Sequence, residues 1–338
     1  MQAVDPWPAA PVLAELPPVA RLSADFAPDA LAVDLSTITA DMWAAINIMT
    51  GDGLGSPSTT NDWRTIPLRS IGGDPARTDP GGPELAEFAD TPWVSRLPAF
   101  RAVLESIPAP LRSARLMALG PGAESPLHSD TKVGLPWGTL RLHVPVLTLA
   151  EATLTLDGQE YCWEPGQLWY ADFTRAHLVR NTGTSRRVHL VIDAMVTDEL
   201  LDLFPPVFQE GAKRADYLVQ QSGSLPVADP VAVECSFDAP VSFLSFEAAD
   251  GSHVHDEDVV RMSVERRGDA LLLLQDAKAR FRLVHLGDDE FRFAGWTSER
   301  TIRVDRAGAV VLRTRRGGAD EWERRLPTER PAISRTAP

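Results

Sequence analysis

Two histidines and an aspartate, His128, Asp130 and His177, are the residues of this chain whose types and spacing point most directly to chemistry. In SPLHSDTK, His128 and Asp130 lie two apart; on a β-strand such residues point to one side, so both converge while Ser129 turns away. His177, in the later stretch WYADFTRAHLVRNTG, must then arrive from another strand folded back over the pair. Two imidazoles and one carboxylate on a single face are the donor set of a mononuclear non-haem Fe(II) site, with the opposite positions open to a co-substrate and O2. The pattern alone is weak, and Arg187 gives it weight. Ten residues past His177, on the apolar run RRVHLVIDAMV, it supplies a fixed cation suited to the distal carboxylate of 2-oxoglutarate. A guanidinium binds a carboxylate through two parallel hydrogen bonds and keeps its charge.

The elements that must position these groups are mostly strands. From Ala114 to Val196 short apolar runs alternate with turn residues: ARLMALGPG, TLRLHVPVLTL, ATLTLDG, QEYCWEPG, QLWYADF, AHLVRNTG and RRVHLVIDAM. This pattern predicts a small antiparallel sandwich or barrel, most naturally a double-stranded β-helix of the jelly-roll or cupin-like kind. Upstream, WRTIPLRSIGG reads as a further strand, SADFAPDALAVDLSTITADMWAAINIMTG as a short strand followed by a helix with Asp29 near its start and Gly51 at its end, and PWVSRLPAFRAVLESI as a second helix. The segment DELLDLFPPVFQEGAKRADYLVQQSG reads as helical around a Pro205-Pro206 break. The whole is mainly β with flanking helices, followed by a second small β-rich domain. Its strands are expected in VSFLSFEA, VVRMSVERRG, ALLLLQD, RFRLVHLG, EFRFAGW, TIRVDRAG and AVVLRTRRG. The resulting division is an extended arm over 1–20, the jelly-roll domain over 21–228, the β-rich accessory domain over 229–326 and a disordered tail over 327–338. The polar loops around 51–63 and 71–92 are where substrate contacts are expected.

The totals exclude several classes. The formal charge of −14 disfavours nucleic acid and anionic membranes as partners, and no apolar run approaches a membrane span. The N-terminus lacks the basic and apolar regions of a secretory signal, so a cytoplasmic location is expected. Cys162 and Cys235 are too few for a disulfide framework and read as reduced core residues. His253 and His255 read as a solvated surface pair.

Taken in order, DWRTIPLRSIGG, RLMALGPGAESPLHSD, LRLHVPV, EPGQLWYADFTRAHLVRNTG and RRVHLVID resemble the aspartyl/asparaginyl β-hydroxylase family of Fe(II)/2-oxoglutarate oxygenases, which includes bacterial cis-proline hydroxylases. The resemblance spans roughly residues 20–197. It implies that His128 and His177 are the metal-binding histidines, that Arg187 grips the far carboxylate of 2-oxoglutarate, and that Arg141 and His143 lie near its α-keto acid end. Some members lack the carboxylate ligand, whereas Asp130 is present here and leaves no vacancy for a halide, so hydroxylation is expected over halogenation. The implied reaction consumes 2-oxoglutarate and O2, releases succinate and CO2, and converts an unactivated C–H of an amino acid, free or within a peptide or carrier-bound substrate, into C–OH.

Other readings stay open. Arg141 suits a substrate carboxylate equally well. Arg69 is a candidate second carboxylate clamp, and Trp137 a candidate substrate contact, although barrel core is the simpler reading of Trp137, Trp163 and Trp169. His189 reads as a structural core histidine, and Asn181 and Asp172 as turn residues. Desaturation or epoxidation at the same iron, and a non-catalytic metal-binding sensor or binding module, are the alternatives in function.

Overall fold

The computed structural model describes residues 11–46, 49–50, 53–54, 62–221, 223, 225–226, 231–305 and 307–329. The chain divides into two units, Met1–Gly81 with Phe88–Gln221, and Gly82–Glu87 with Ser222–Pro338. The second unit thus begins seven residues before the expected boundary and also takes six residues from the loop expected at 71–92.

The strands of the first unit are Val19–Asp25 (β1), Ala44–Ala45 (β2), Met49–Thr50 (β3), Gly53–Leu54 (β4), Trp63–Ile71 (β5), Phe88–Asp90 (β6), Leu111–Leu119 (β7) and Thr139–Leu147 (β8). They continue with Ala152–Leu156 (β9), Gln159–Tyr161 (β10), Gln167–Ala171 (β11), His177–Asn181 (β12) and Arg187–Met195 (β13). An eight-stranded sheet runs β1-β11-β8-β13-β7-β5-β2, with β6 on the side of β5, and a three-stranded sheet runs β10-β9-β12. Antiparallel pairing throughout and two sheets of unequal size make this the jelly roll that the strand pattern predicts.

Alternation along each strand assigns the two faces of the large sheet. Leu140, Leu142 and Val144 of β8, Ala114, Leu116 and Ala118 of β7, and Val188, Leu190 and Ile192 of β13 join one hydrophobic core. Helices Pro28–Ser36 (α2) and Pro98–Ser106 (α3) cover that face through Leu31, Phe100, Val103 and Leu104. The residues between, including Arg115, Arg141, His143, Arg187, His189 and Asp193, fall on the opposite face, turned toward the small sheet. A one-residue slip in register would exchange the two sets.

Several local expectations are corrected. The first helix stops at Ser36, where Thr37 caps the Asp34 and Leu35 carbonyls, and the chain then passes through a 3-10 turn into β2, which pairs with β5. Pro98 starts α3, so the run from Pro92 is a 3-10 turn followed by a helix. The segment after β13 holds only the short helices Asp198–Leu201 (α4) and Gly211–Arg214 (α5) with a 3-10 turn between. The end of the expected arm is a short helix, Pro11–Ala14 (α1), with Leu13 and Leu16 in the core; residues 1–10 lie outside the described residues. Cys162 is exposed rather than core, Cys235 is buried, and neither forms a disulfide.

The second unit holds eight strands in sequence order: Cys235–Pro240 (β14), Val259–Arg267 (β15), Ala270–Gln275 (β16), Lys278–Gly287 (β17), Glu290–Phe293 (β18), Arg300–Asp305 (β19), Ala309–Arg316 (β20) and Asp320–Pro327 (β21). Ser236 and Glu329 exchange backbone hydrogen bonds at 2.8 and 2.9 Å, which brings the two ends together as a nearly closed barrel. VSFLSFEA is not a strand: Pro240 ends β14 and Val241–Leu244 form a helical turn (α6). Arg300, 1% exposed, pins that turn by donating to the Phe243 and Ser245 carbonyls at 2.7 and 2.8 Å and lying 4.6 Å from the Phe246 ring centre. Strand β21 carries too few apolar residues to show an alternating pattern. Residues 327–329, expected in the tail, continue the barrel, and 330–338 lie outside the described residues.

His253, expected at the surface, is 1% exposed and packs 5.3 Å from Phe243; His255 is exposed. Burial among apolar groups disfavours the imidazolium and pulls the His253 pKa from 6.5 down to about 4. The unfolded chain therefore binds this proton first as pH falls, so the neutral histidine's contribution is complete above pH 6.5 and declines toward pH 4. Chemical denaturation across that range should show a drop in stability that His253→Gln makes shallower; an unchanged slope would contradict the assignment.

Candidate metal centre

His128 and Asp130 do not lie on a regular strand. Residues 122–130 run instead as an irregular ribbon along β12, held by Gly122 to Asn181, Ser125 to Val179 and a reciprocal pair between His128 and His177 at 3.0 and 2.8 Å. Two residues that exchange both backbone bonds sit directly opposite one another, so their side chains leave the ribbon side by side. The imidazole centres are 4.2 Å apart. Asp130, fixed by its N–H to the Phe173 carbonyl at 2.8 Å, completes the cluster: one donor atom from each of the three residues lies within 4.8 Å of the others. The sequence predicted the cluster, and the second ribbon it required is β12.

The imidazoles are oriented for coordination. His128 Nδ1 lies 2.8 Å from the Pro126 carbonyl and His177 Nδ1 lies 2.8 Å from the Arg175 carbonyl. A carbonyl only accepts, so each Nδ1 carries the proton and each Nε2 presents its lone pair. Burial, opposed by Asp130, lowers the His177 pKa and favours the neutral ligand form. Upstream of His177, Asp172 accepts from Thr174 and, at 2.9 Å, from Arg175, fixing the entry into β12. Downstream, Asn181 is fully buried, donates to the Leu119 and Ser185 carbonyls at 2.9 Å and accepts from Gly183, locking the turn into β13. Both are turn residues that hold functional neighbours in place.

Arg141 takes a task different from either expectation. Directly opposite Asp193 in the β8/β13 register, it donates to both oxygens of that carboxylate at 2.8 and 3.0 Å, and to Oδ2 of Asp130. Asp193 also accepts from Ser113 at 2.8 Å and pairs with Arg115 at 3.5 Å. Burial works against the Arg141 charge, but Asp130 and Asp193 outweigh it and raise the pKa; the two arginines hold the buried Asp193 carboxyl far below its usual range. The sequence reading missed Asp193, Arg115 and Ser113. Their signal was the alternation of polar groups within otherwise apolar strands, since charged residues are rarely buried without a partner.

At the start of β13 lies a second polar group of different character. Arg187, 7% exposed, donates to His189 Nδ1 at 3.1 Å, and among the described residues no carboxylate pairs with it. Burial draws its pKa down to about 10, against an opposing pull from Cys162. Because arginine only donates, His189 Nδ1 accepts and its proton resides on Nε2. His143 Nδ1, 3.3 Å away, is then the donor of the His143–His189 contact. Among the described residues, the outward Nε2 atoms of both histidines and the indole N–H of Trp163 are buried without partners. His143 stands 5.0 Å from Phe173, which stands 4.9 Å from His177, so ring contacts link the metal cluster to Arg187. His189 is thus a buried core histidine, as expected, but its Nδ1 is held by Arg187 and His143 rather than by backbone.

The two substrate candidates are placed elsewhere. Arg69 donates to the Leu111 and Phe88 carbonyls at 3.1 and 2.8 Å and to Asp90 at 2.5 Å, which staples β6 and β7 to β5 and leaves it no role as a carboxylate clamp. Trp137 is 2% exposed within the helix-covered core, on the face away from the metal cluster. Trp163 and Trp169 stack at 5.3 Å, and Trp163 contacts His143 and His189. Of the expected substrate loops, 51–61 falls almost wholly outside the described residues.

The residues present fit a ferrous ion: the donor set is two neutral imidazoles and a carboxylate, and each histidine has its second nitrogen anchored. The sequence profile of the aspartyl/asparaginyl β-hydroxylases matches residues 35–196. No protein of curated function matches the chain. Among solved structures, an oxidoreductase of the 2OG-Fe(II) oxygenase family from Burkholderia pseudomallei shares 11% identity at a TM-score of 0.28, covering 42% of this chain and 71% of its own. A predicted oxalate decarboxylase from Thermotoga maritima shares 19% identity at a TM-score of 0.21, covering 28% and 74%. A cupin 2 conserved barrel domain protein from Salinispora arenicola shares 16% at 0.21, covering 28% and 71%.

Removing the anchor behind Asp130 should weaken metal binding without removing a ligand. Asp193→Asn is expected to lower Mn(II) affinity by about 10–100-fold in a titration. Arg69→Ala should instead cost about 1–3 kcal/mol of stability and leave metal affinity unchanged.

Proposed function

We propose, from the match of residues 35–196 to the aspartyl/asparaginyl β-hydroxylase family, that this protein is an Fe(II)- and 2-oxoglutarate-dependent dioxygenase that hydroxylates an unactivated C–H of an amino acid, free or within a peptide or carrier-bound substrate. The observation that carries the reading is Arg187: a guanidinium buried without a carboxylate is costly unless a ligand brings one. A protein that only bound metal would have no use for it.

His128, Asp130 and His177 would hold the iron, which when bound supplies the activation of O2 that protein side chains cannot provide. Arg187 would receive the distal carboxylate of 2-oxoglutarate, and the His189 Nε2–H and Trp163 N–H are the free donors beside it. The neutral state of His143 and His189, enforced by burial and by the Arg187 charge, keeps further positive charge out of the pocket. Arg141 would hold Asp130 at a fixed angle through Asp193, so the carboxylate ligand does not swing between solvent and metal. Phe173, Trp163 and Trp169, packed in one apolar cluster, would exclude water beside Arg187.

Incubation with Fe(II), 2-oxoglutarate, O2 and a panel of free amino acids and short peptides should yield succinate in step with a product heavier by one oxygen. Arg187→Met should raise KM for 2-oxoglutarate by at least about a hundredfold. Succinate formation indifferent to that substitution would overturn the assignment, and a product lacking two hydrogens would replace hydroxylation with desaturation.

A further inference from the structure

Residues 172–176, between β11 and β12, carry the anchors of two of the three candidate ligands. The Phe173 carbonyl accepts from the Asp130 N–H, and the Arg175 carbonyl accepts from His177 Nδ1, both at 2.8 Å. This turn is held in its place by the start of the chain. Asp172 N–H donates to the Pro18 carbonyl at 2.8 Å, just where β1 begins to pair with β11, and Arg175 Nη2 donates to the Leu13 carbonyl at 2.5 Å. The rest of the same guanidinium is also engaged: Nε donates to Asp172 and Nη1 to Asp157, each at 2.9 Å. Asp157 grips the far side of the turn, since its own N–H donates to the Ala176 carbonyl at 3.1 Å. One planar fork therefore joins three stretches distant in sequence: the arm at Leu13, the connection between β9 and β10 at Asp157, and the turn before β12. Asp172 is buried, and Leu13 and Leu16 seat the arm in the hydrophobic core.

We propose that the N-terminal arm is a working part of the metal centre: by holding the 172–176 turn at Leu13 and Pro18, it keeps the Phe173 and Arg175 carbonyls where they fix the backbone of Asp130 and turn His177 Nε2 toward the ion. Arg175 is a positioning residue, because it acts through its own carbonyl and through Asp172. A His177 ring released from that carbonyl can move its proton to Nε2, which removes the lone pair from the ligand position. His128 is the internal control, since its Nδ1 is held by the Pro126 carbonyl of its own ribbon. The consequence for metal affinity rests on the proposed iron-binding reading; the effect on the His177 ring does not.

The test uses the full chain with Arg175→Gln, Arg175→Lys and Leu13→Ala. Imidazole nitrogen resonances of the metal-free protein, recorded at about pH 8 where both rings are neutral, should place the His177 proton on Nδ1 in the unaltered chain. In all three variants that proton should be shared between the two nitrogens, with His128 unchanged, and Mn(II) affinity should fall about tenfold. Lysine keeps a charge beside Asp172 but cannot also reach Asp157 and Leu13, so it should behave as glutamine does. Leu13→Ala leaves every side chain of the cluster intact, so a change at His177 there comes from the arm. A lower melting temperature with the His177 tautomer and Mn(II) affinity both retained would reduce the arm to ordinary packing and overturn the proposal, as would full recovery by Arg175→Lys. If the unaltered chain binds no Mn(II), the metal reading fails, and the His177 tautomer alone decides whether the arm positions the ring.

Discussion

Asp193 lies opposite Arg141 across two neighbouring antiparallel strands, and that pairing ties Asp130, a candidate metal ligand, to the rigid sheet. Asp130 sits on an irregular ribbon whose backbone alone would leave its carboxylate free to rotate. Arg141 prevents this by spanning from Asp130 to Asp193, and against the cost of burial it is Arg141 first, then Arg115 and Ser113, that keep Asp193 ionised. An isolated buried charge is expensive, and one removed from this chain of alternating signs would leave its neighbour unpaired. Arg187 is the exception on the same face: among the described residues no carboxylate pairs with it, and its burial is left uncompensated by an opposite charge.

Period two produces both arrangements. In β13, Val188, Leu190 and Ile192 enter the helix-covered core, whereas Arg187, His189 and Asp193 face inward. In β8, Arg141 and His143 alternate with Leu140, Leu142 and Val144 in the same way. The His128, Asp130 and His177 cluster and the buried Arg187 are therefore two ends of one polar stripe, joined through His143 and Phe173.

Much of this was legible in the sequence because strands and ligand spacing are local properties. His128, Asp130, His177 and Arg187 could be named from residue type and distance along the chain, and the seven short strands between Ala114 and Val196 from alternation and turn residues. What could not be read depended on pairing between distant segments. Nothing local marks Asp193 as the partner of Arg141, Arg69 as a staple for β6, or His189 as the acceptor for Arg187. The H-x-D pair converges as expected, but on a ribbon bridged to β12 rather than within a strand. In the second unit, Pro240 turned an apparent strand into a helical turn, and β21 was hidden because its outward face is charged.

An anaerobic crystal structure of the full chain with Mn(II) and 2-oxoglutarate tests the central claim most directly. The account predicts one anomalous peak ligated by His128 Nε2, Asp130 and His177 Nε2, with the keto acid end of the co-substrate on the metal and its far carboxylate on Arg187. Metal bound elsewhere, or a co-substrate whose far carboxylate avoids Arg187, would contradict it.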